Sequence, residues 1–263
     1  MENNSISAPL RTSPIASSPD AFPWALTVAA IAGMLGVLGI VMIAGIVQFL
    51  VAHGGDLNAL KSAALGMFGI SLQAIAEIAV LIYLALVVPQ LAHTSLAGLG
   101  FTKLDGRSLR IVAGGIVVMF LVLTVAGSAL SNELHFKSEE EAVHVLLSLH
   151  TWPEKFWFVI MAAVLAPVFE ESVFRLFLFN AMHRWWGFWP AAVTSSVLFG
   201  LAHAQAPFVP QMLIAICLPL ALGGFVLCWV YATTRNAWAP ILTHGVCNLI
   251  SSVLVIVAPQ LAK

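Results

Sequence analysis

The sequence predicts an all-α fold, a polytopic transmembrane helical bundle of about seven membrane helices, with six and eight as the limits. Three observations predict it. Of 263 residues, 60% are hydrophobic and 9% charged, with a mean hydropathy of +0.99, whereas soluble domains hold about 45–50% apolar and about 25% charged residues. The apolar residues gather into runs of about 20, each enough to cross a hydrocarbon core of about 30 Å at about 1.5 Å per residue. No alternating barrel pattern appears, so each run is read as a helix, which satisfies its backbone amides within its own segment. The same composition excludes a water-soluble globule. With 11 Lys and Arg against 12 Asp and Glu, the chain lacks the basic excess that phosphate neutralisation needs, and nucleic acid is excluded as a partner.

Residues 1–23 are rich in Ser, Pro and Asn and read as a disordered N-terminal tail. The run that follows, 24–52, far exceeds the 7–15 residues (approximately) of a signal-peptide core and is a retained first helix. Gly33, Gly36 and Gly39, with Ala29 and Ala32, offer it small surfaces for close helix approach. Runs at 64–92 and 109–130 supply the second and third helices. The hydrophilic connection from Ser131 to Glu154 carries Glu139, Glu140 and Glu141, with a short interfacial helix over 142–149. Four more runs follow at 155–182, 188–206, 208–233 and 238–258. Pro207, Pro210 and Pro219 mark the fifth and sixth as the places where the chain breaks or re-enters. Residues 24–150 thus form an N-terminal set of helices with an outer loop, 151–258 a second set, and 259–263 a C-terminal tail.

Trp24, Trp152, Trp157, Trp185, Trp186, Trp189 and Trp238 fall near the predicted helix ends, as an interfacial aromatic belt does. Cys217, Cys228 and Cys247 lie inside apolar runs and form no disulfide framework. In this topology Arg11, Lys103, Arg107, Arg110, Arg184 and Arg235 share the N-terminal side, against Lys61, Lys137, Lys155 and Lys263 on the other. That balance points to a cytoplasmic N-terminus.

Ionisable side chains are costly in a membrane span and usually face the bundle interior with a function. Here they concentrate in the C-terminal half. The fourth span holds Glu170, Glu171 and Arg175. Glu171 and Arg175, four apart, share a helix face and can pair. Glu170, about 100° away around the helix, has no partner on its own helix and suits a general base or acid. The fifth span ends with His203, four residues after Phe199, and the seventh holds His244 and Asn248 on one face. Three helices each presenting an imidazole or carboxylate imply one shared polar site. The second span adds Gln73 and Glu77, also four apart.

Glu-Glu-x-x-x-Arg, Phe-x-x-x-His and His-x-x-x-Asn, in that order on separate apolar helices over residues 155–258, resemble the three motifs of the CPBP family of intramembrane proteases, the CAAX prenyl protease and bacteriocin-processing (Abi) proteins. The Leu99-Gly100-Phe101 connection resembles the family as well. The resemblance implies a CPBP-like catalytic membrane core at 151–258 and an intramembrane endopeptidase acting on a membrane-associated peptide or protein. It further implies Glu170 as the catalytic glutamate polarising a water, Glu171 and Arg175 positioning that helix, and His203 holding and activating the water. His244 and Asn248 would stabilise the oxyanion. A bacterial inner membrane follows from the family and the compact size.

Two mechanisms fit that resemblance. In one, Glu170, His203 and His244 hold Zn²⁺. In the other, no cofactor is required, and the absence of a His-Glu-x-x-His motif favours it. Two rival functions are a proton- or ion-coupled transporter using Glu77 and a non-catalytic membrane scaffold or immunity protein of the same fold. Depth arithmetic sets a condition on any shared site. With helices five and seven parallel, His203 lies about 9 Å beyond its midpoint and His244 about 6 Å before its own, an offset of about 15 Å that tilt, a shifted start at Pro190 or an interrupted fifth span must close.

Overall fold

The computed structural model describes residues 20–64, 66–134, 141–204 and 209–258. Expectations for the tail up to residue 19, for Lys137, Glu139, Glu140 and Pro207, and for residues 259–263 fall outside these. The described residues form helices without a strand. In chain order these are α1 (Trp24–Ala52), α2 (Leu57–Ala64), α3 (Met67–Leu91), α4 (Gly106–Glu133), α5 (Glu141–Ser148), α6 (Trp152–Trp186), α7 (Phe188–Ala202), α8 (Leu213–Thr234) and α9 (Trp238–Val257). Six of them, α1, α3, α4, α6, α8 and α9, are long and apolar enough to cross a membrane. Their outward faces carry large apolar side chains such as Ile40, Val51, Ile82, Leu86 and Val125, all well exposed, as lipid contact requires. The chain is an integral membrane helical bundle.

The fifth predicted span departs from expectation. Instead of running over 188–206, α7 stops at Ala202 after 15 residues, about 22 Å of helix and short of a full crossing. The chain then re-enters at Pro210, in the first turn of a short helical segment that leads into α8. A proline is tolerated there because the first-turn amide has no intrahelical acceptor.

One end of the bundle is closed by backbone contacts. Phe22 N–H donates to Leu91 O at 2.7 Å and the Trp185 indole donates to Phe22 O at 3.0 Å. Ala237 N–H donates to Gly100 O at 2.8 Å, and the Asn236 amide donates to Thr102 O at 3.0 Å. A Cβ at Gly100, where φ is +101°, would come within 3.0 Å of Arg235 O, so this connection requires glycine. Lys103, Arg107, Arg184 and Arg235 all cluster at this end. Asp105 caps α4 there by accepting from Ser108 N–H at 2.7 Å, which holds its carboxyl below the usual range.

Small residues in α1 divide by role. Gly33 lies against the Tyr83 side chain, whose hydroxyl donates to Ala30 O at 3.0 Å. Gly36 and Gly39 face open space and do not serve helix packing. The three cysteines are buried free thiols. Trp24, Trp152, Trp186, Trp189 and Trp238 stand exposed at helix ends.

Candidate active site

α6 is not a uniform α-helix. It widens to π-helix over Met161–Leu165 and again over Ser172–Phe179, on either side of the turn that carries Glu170 and Glu171. The first widening follows from Pro167. Its ring crowds the carbonyl four residues back and it donates no hydrogen bond. Ala166 N–H reaches back to Met161 O, and Ala162 O loses its helical donor. The Asn248 amide of α9 supplies one at 2.9 Å. Beside it Gly245 lets the helices touch, since a Cβ there would lie 2.5 Å from Ala163 O.

The second widening is satisfied in the same way, by side chains. The Asn180 amide donates to Arg175 O and Leu176 O, each at 3.0 Å, and the Ser195 hydroxyl donates to Phe174 O at 2.8 Å. Polar residues at 180, 195 and 248 therefore do for α6 what its own N–H groups cannot.

Around this distorted helix the ionisable groups converge. Arg175 Nη1 lies 3.0 Å from Glu171 Oε1, both side chains essentially sealed from solvent. Arg175 Nη2 donates to Gly224 O of α8 at 2.9 Å, and the guanidinium carbon stands 4.5 Å from the centre of the Phe199 ring, a cation–π arrangement. His244 Nδ1 lies 3.0 Å from the same Glu171 oxygen. Since a carboxylate accepts, Nδ1 carries the proton and Nε2 is turned toward Glu170. His203 Nδ1 lies 2.9 Å from Phe199 O. A carbonyl also only accepts, so His203 Nδ1 carries a proton and Nε2 is the ring nitrogen turned toward Glu170.

Both Nε2 atoms stand 3.9 Å from Glu170 Oε2. That oxygen is buried and has no hydrogen-bond partner. At 3.9 Å a direct hydrogen bond is excluded, and a link between the groups requires a bridging water. Glu170 and His203 keep 17% and 25% side-chain exposure, whereas Glu171 and Arg175 have none to spare, so the former pair is the face open to a reactant.

The 15 Å offset (approximately) vanishes because α7 ends early, placing His203 at its C-cap beside the middle of α6 rather than at an interface. Glu170, Glu171, Arg175, His203 and His244 are thus brought together. Asn248 reaches the neighbouring turn of α6 through Ala162 O. Sequence reasoning missed the wall and floor of the cluster. The Phe199 ring lies 4.9 Å from His203 and 5.8 Å from His244, and at Gly224 a Cβ would come within 3.2 Å of Arg175 Nη2. Phe-x-x-x-His spacing was a signal for the first; nothing local marks the second.

Glu170, His203 and His244 offer the donor types zinc takes, two imidazoles and a carboxylate. Their spacing is wider than the separation of about 3.4 Å between tetrahedral ligands set about 2.0–2.1 Å from the ion. Among the described residues no group of three or more His, Cys, Asp or Glu stands close enough to hold a metal ion. The arrangement does not fit a zinc shell as it stands.

Residues 152–250 match the family model described as type II CAAX prenyl endopeptidase Rce1-like. Over 90 residues the chain is 31% identical to a Bacillus subtilis (strain 168) protein named "Putative membrane peptidase YdiL", covering 34% of each. The chain therefore spans about a third of the length of the curated relative it matches. No solved structure matches it. The matched segment is the one that carries Glu170, Glu171, Arg175, His203, His244 and Asn248, and over that segment the chain is similar to the Rce1-like membrane endopeptidases.

Proposed function

We propose that the chain is an intramembrane endopeptidase that hydrolyses a peptide bond of a membrane-associated protein or peptide with a water activated by Glu170. The observation that supports it is the unpartnered Glu170 Oε2 facing two imidazole nitrogens across gaps of 3.9 Å. A water there donates one hydrogen to Glu170 and the other to the His203 Nε2 lone pair, which aims an oxygen lone pair at a substrate carbonyl. As the water oxygen bonds to that carbon, Glu170 takes a proton. It returns the proton to the leaving nitrogen as the C–N bond breaks.

The oxyanion needs donors. His244 has a carboxylate against each ring nitrogen, Glu171 at Nδ1 and Glu170 at Nε2, so an imidazolium is matched on both sides and its Nε2–H serves the developing charge. Asn248 has one amide hydrogen on Ala162 O and a second for the same oxyanion. Glu171 and Arg175 hold the turn in place. No step here passes through a metal. The proposed setting is a bacterial inner membrane with the N-terminus cytoplasmic.

The test is cleavage of a peptide library by the detergent-purified full chain. Glu170→Gln is expected to lower kcat by about 10³-fold or more, the combined loss of base and water orientation. Activity is expected to survive a chelator. Loss on chelation, restored by zinc, would overturn the metal-free mechanism. Turnover unaffected by Glu170→Gln would overturn the role of Glu170. No cleavage at all would favour the scaffold reading, and proton flux into liposomes that Glu77→Gln abolishes and Glu170→Gln leaves intact would favour transport.

A further inference from the structure

Glu77 belongs to none of the three motifs and lies outside the matched segment. It is nonetheless 4% exposed, in a span where a buried carboxyl is costly unless partnered. Gln73 Nε2 donates to its Oε1 at 2.8 Å, while its Oε2 is buried without a partner. Its helix, α3, packs against the turn Ala166–Glu171 that carries Glu170. The two carboxyls are near enough to act on each other electrostatically. Among the described residues no cation on the helices packed against α3 compensates Glu77. The α1 helix has no acidic or basic residue along Trp24–Ala52, Lys61 of α2 is exposed, and Arg175 is engaged by Glu171 and Gly224. Two carboxyl oxygens in one interior, one on Glu77 and one on Glu170, therefore both lack partners, and one hydrogen-bonded link satisfies both.

We propose that Glu77 is a further positioning residue of this site, linked to Glu170 through one water and fixing the orientation of that carboxyl. Gln73 in turn fixes Glu77 by holding its other oxygen. The consequence for rate rests on the endopeptidase reading, whereas the link itself does not.

Two measurements on the purified full chain separate these. In the first, thermal unfolding in detergent is compared for wild type, Glu77→Leu, Glu170→Leu and the double variant. Linked side chains give a double-variant Tm shift clearly smaller than the sum of the single shifts. An additive shift overturns the link whether or not any peptide is cleaved. In the second, Glu77→Leu is expected to lower kcat by about 10²-fold, the scale for loss of one preorganised polar contact, with KM unchanged. Glu77→Gln, whose amide still donates a hydrogen bond, is expected to restore most of the rate. Unchanged kcat in Glu77→Leu, a change confined to KM, or equal damage from Glu77→Gln and Glu77→Leu would overturn the positioning role. Absence of cleavage by wild type removes the endopeptidase reading and leaves the Tm cycle to decide the link.

Discussion

Glu171 Oε1 serves two neighbours at once, Arg175 Nη1 and His244 Nδ1, each at 3.0 Å. Removing it strands a guanidinium that is 0% exposed, and breaking a buried pair in this way costs about 3–5 kcal/mol. Glu171→Ala is therefore expected to lower the unfolding temperature in detergent far more than Glu171→Gln, which keeps a side-chain oxygen for the guanidinium. The Glu171–Arg175 pair was legible in the sequence because residues four apart on a helix must share a face. That Glu170 shares a site with His203 and His244 was expected from the motifs, but their 3.9 Å spacing was not legible, since the imidazoles come from α7 and α9 and only the packing of three helices sets it. The same holds for Phe199, whose ring contacts Arg175, His203 and His244 although the sequence shows only its place in a motif.

For α6 the decisive feature is a proline inside the helix and the neighbours that repair its effects. Asn248→Ala would leave Ala162 O without the donor that Pro167 denies it, at a cost of about 1–3 kcal/mol for an unsatisfied buried group. Pro167→Ala restores an N–H and allows regular α-helix, so adding it to Asn248→Ala is expected to recover part of the lost stability, read as the unfolding midpoint. Gly245→Ala, which sets a Cβ 2.5 Å from Ala163 O, is expected to part α6 from α9 and reduce kcat. Sequence periodicity found α6 but not its two π-helical stretches, because the widened register depends on side-chain donors, Asn180 within α6, Ser195 of α7 and Asn248 of α9, that periodicity does not encode. It also overextended the fifth span to the residue before Pro207, whereas the helix stops at Ala202.

At the scale of the whole molecule, the cationic residues Lys103, Arg107, Arg184 and Arg235 lie at the end closed by Phe22, Gly100 and Ala237. On the proposed cytoplasmic placement of that end, single cysteines placed at 103 and 184 in a chain whose native cysteines are replaced are expected to resist an impermeant thiol reagent on intact cells, while one at 155 reacts. Labelling in the opposite sense would invert the topology. Gly100→Val, forced against Arg235 O and Ala237 N, is expected to loosen this end and lower the unfolding temperature. By itself the sequence determined that the chain is a helical membrane bundle, where most spans run, and which polar residues stand out, because apolar run length and helical spacing are local properties. Only the tertiary structure decided how near His203 and His244 stand to Glu170, that Asn248 reaches Ala162 O, and that Glu77 lies near Glu170. Those outcomes depend on where α7 stops and how closely α3, α6 and α9 approach, which are properties of packed helices and not of any one of them.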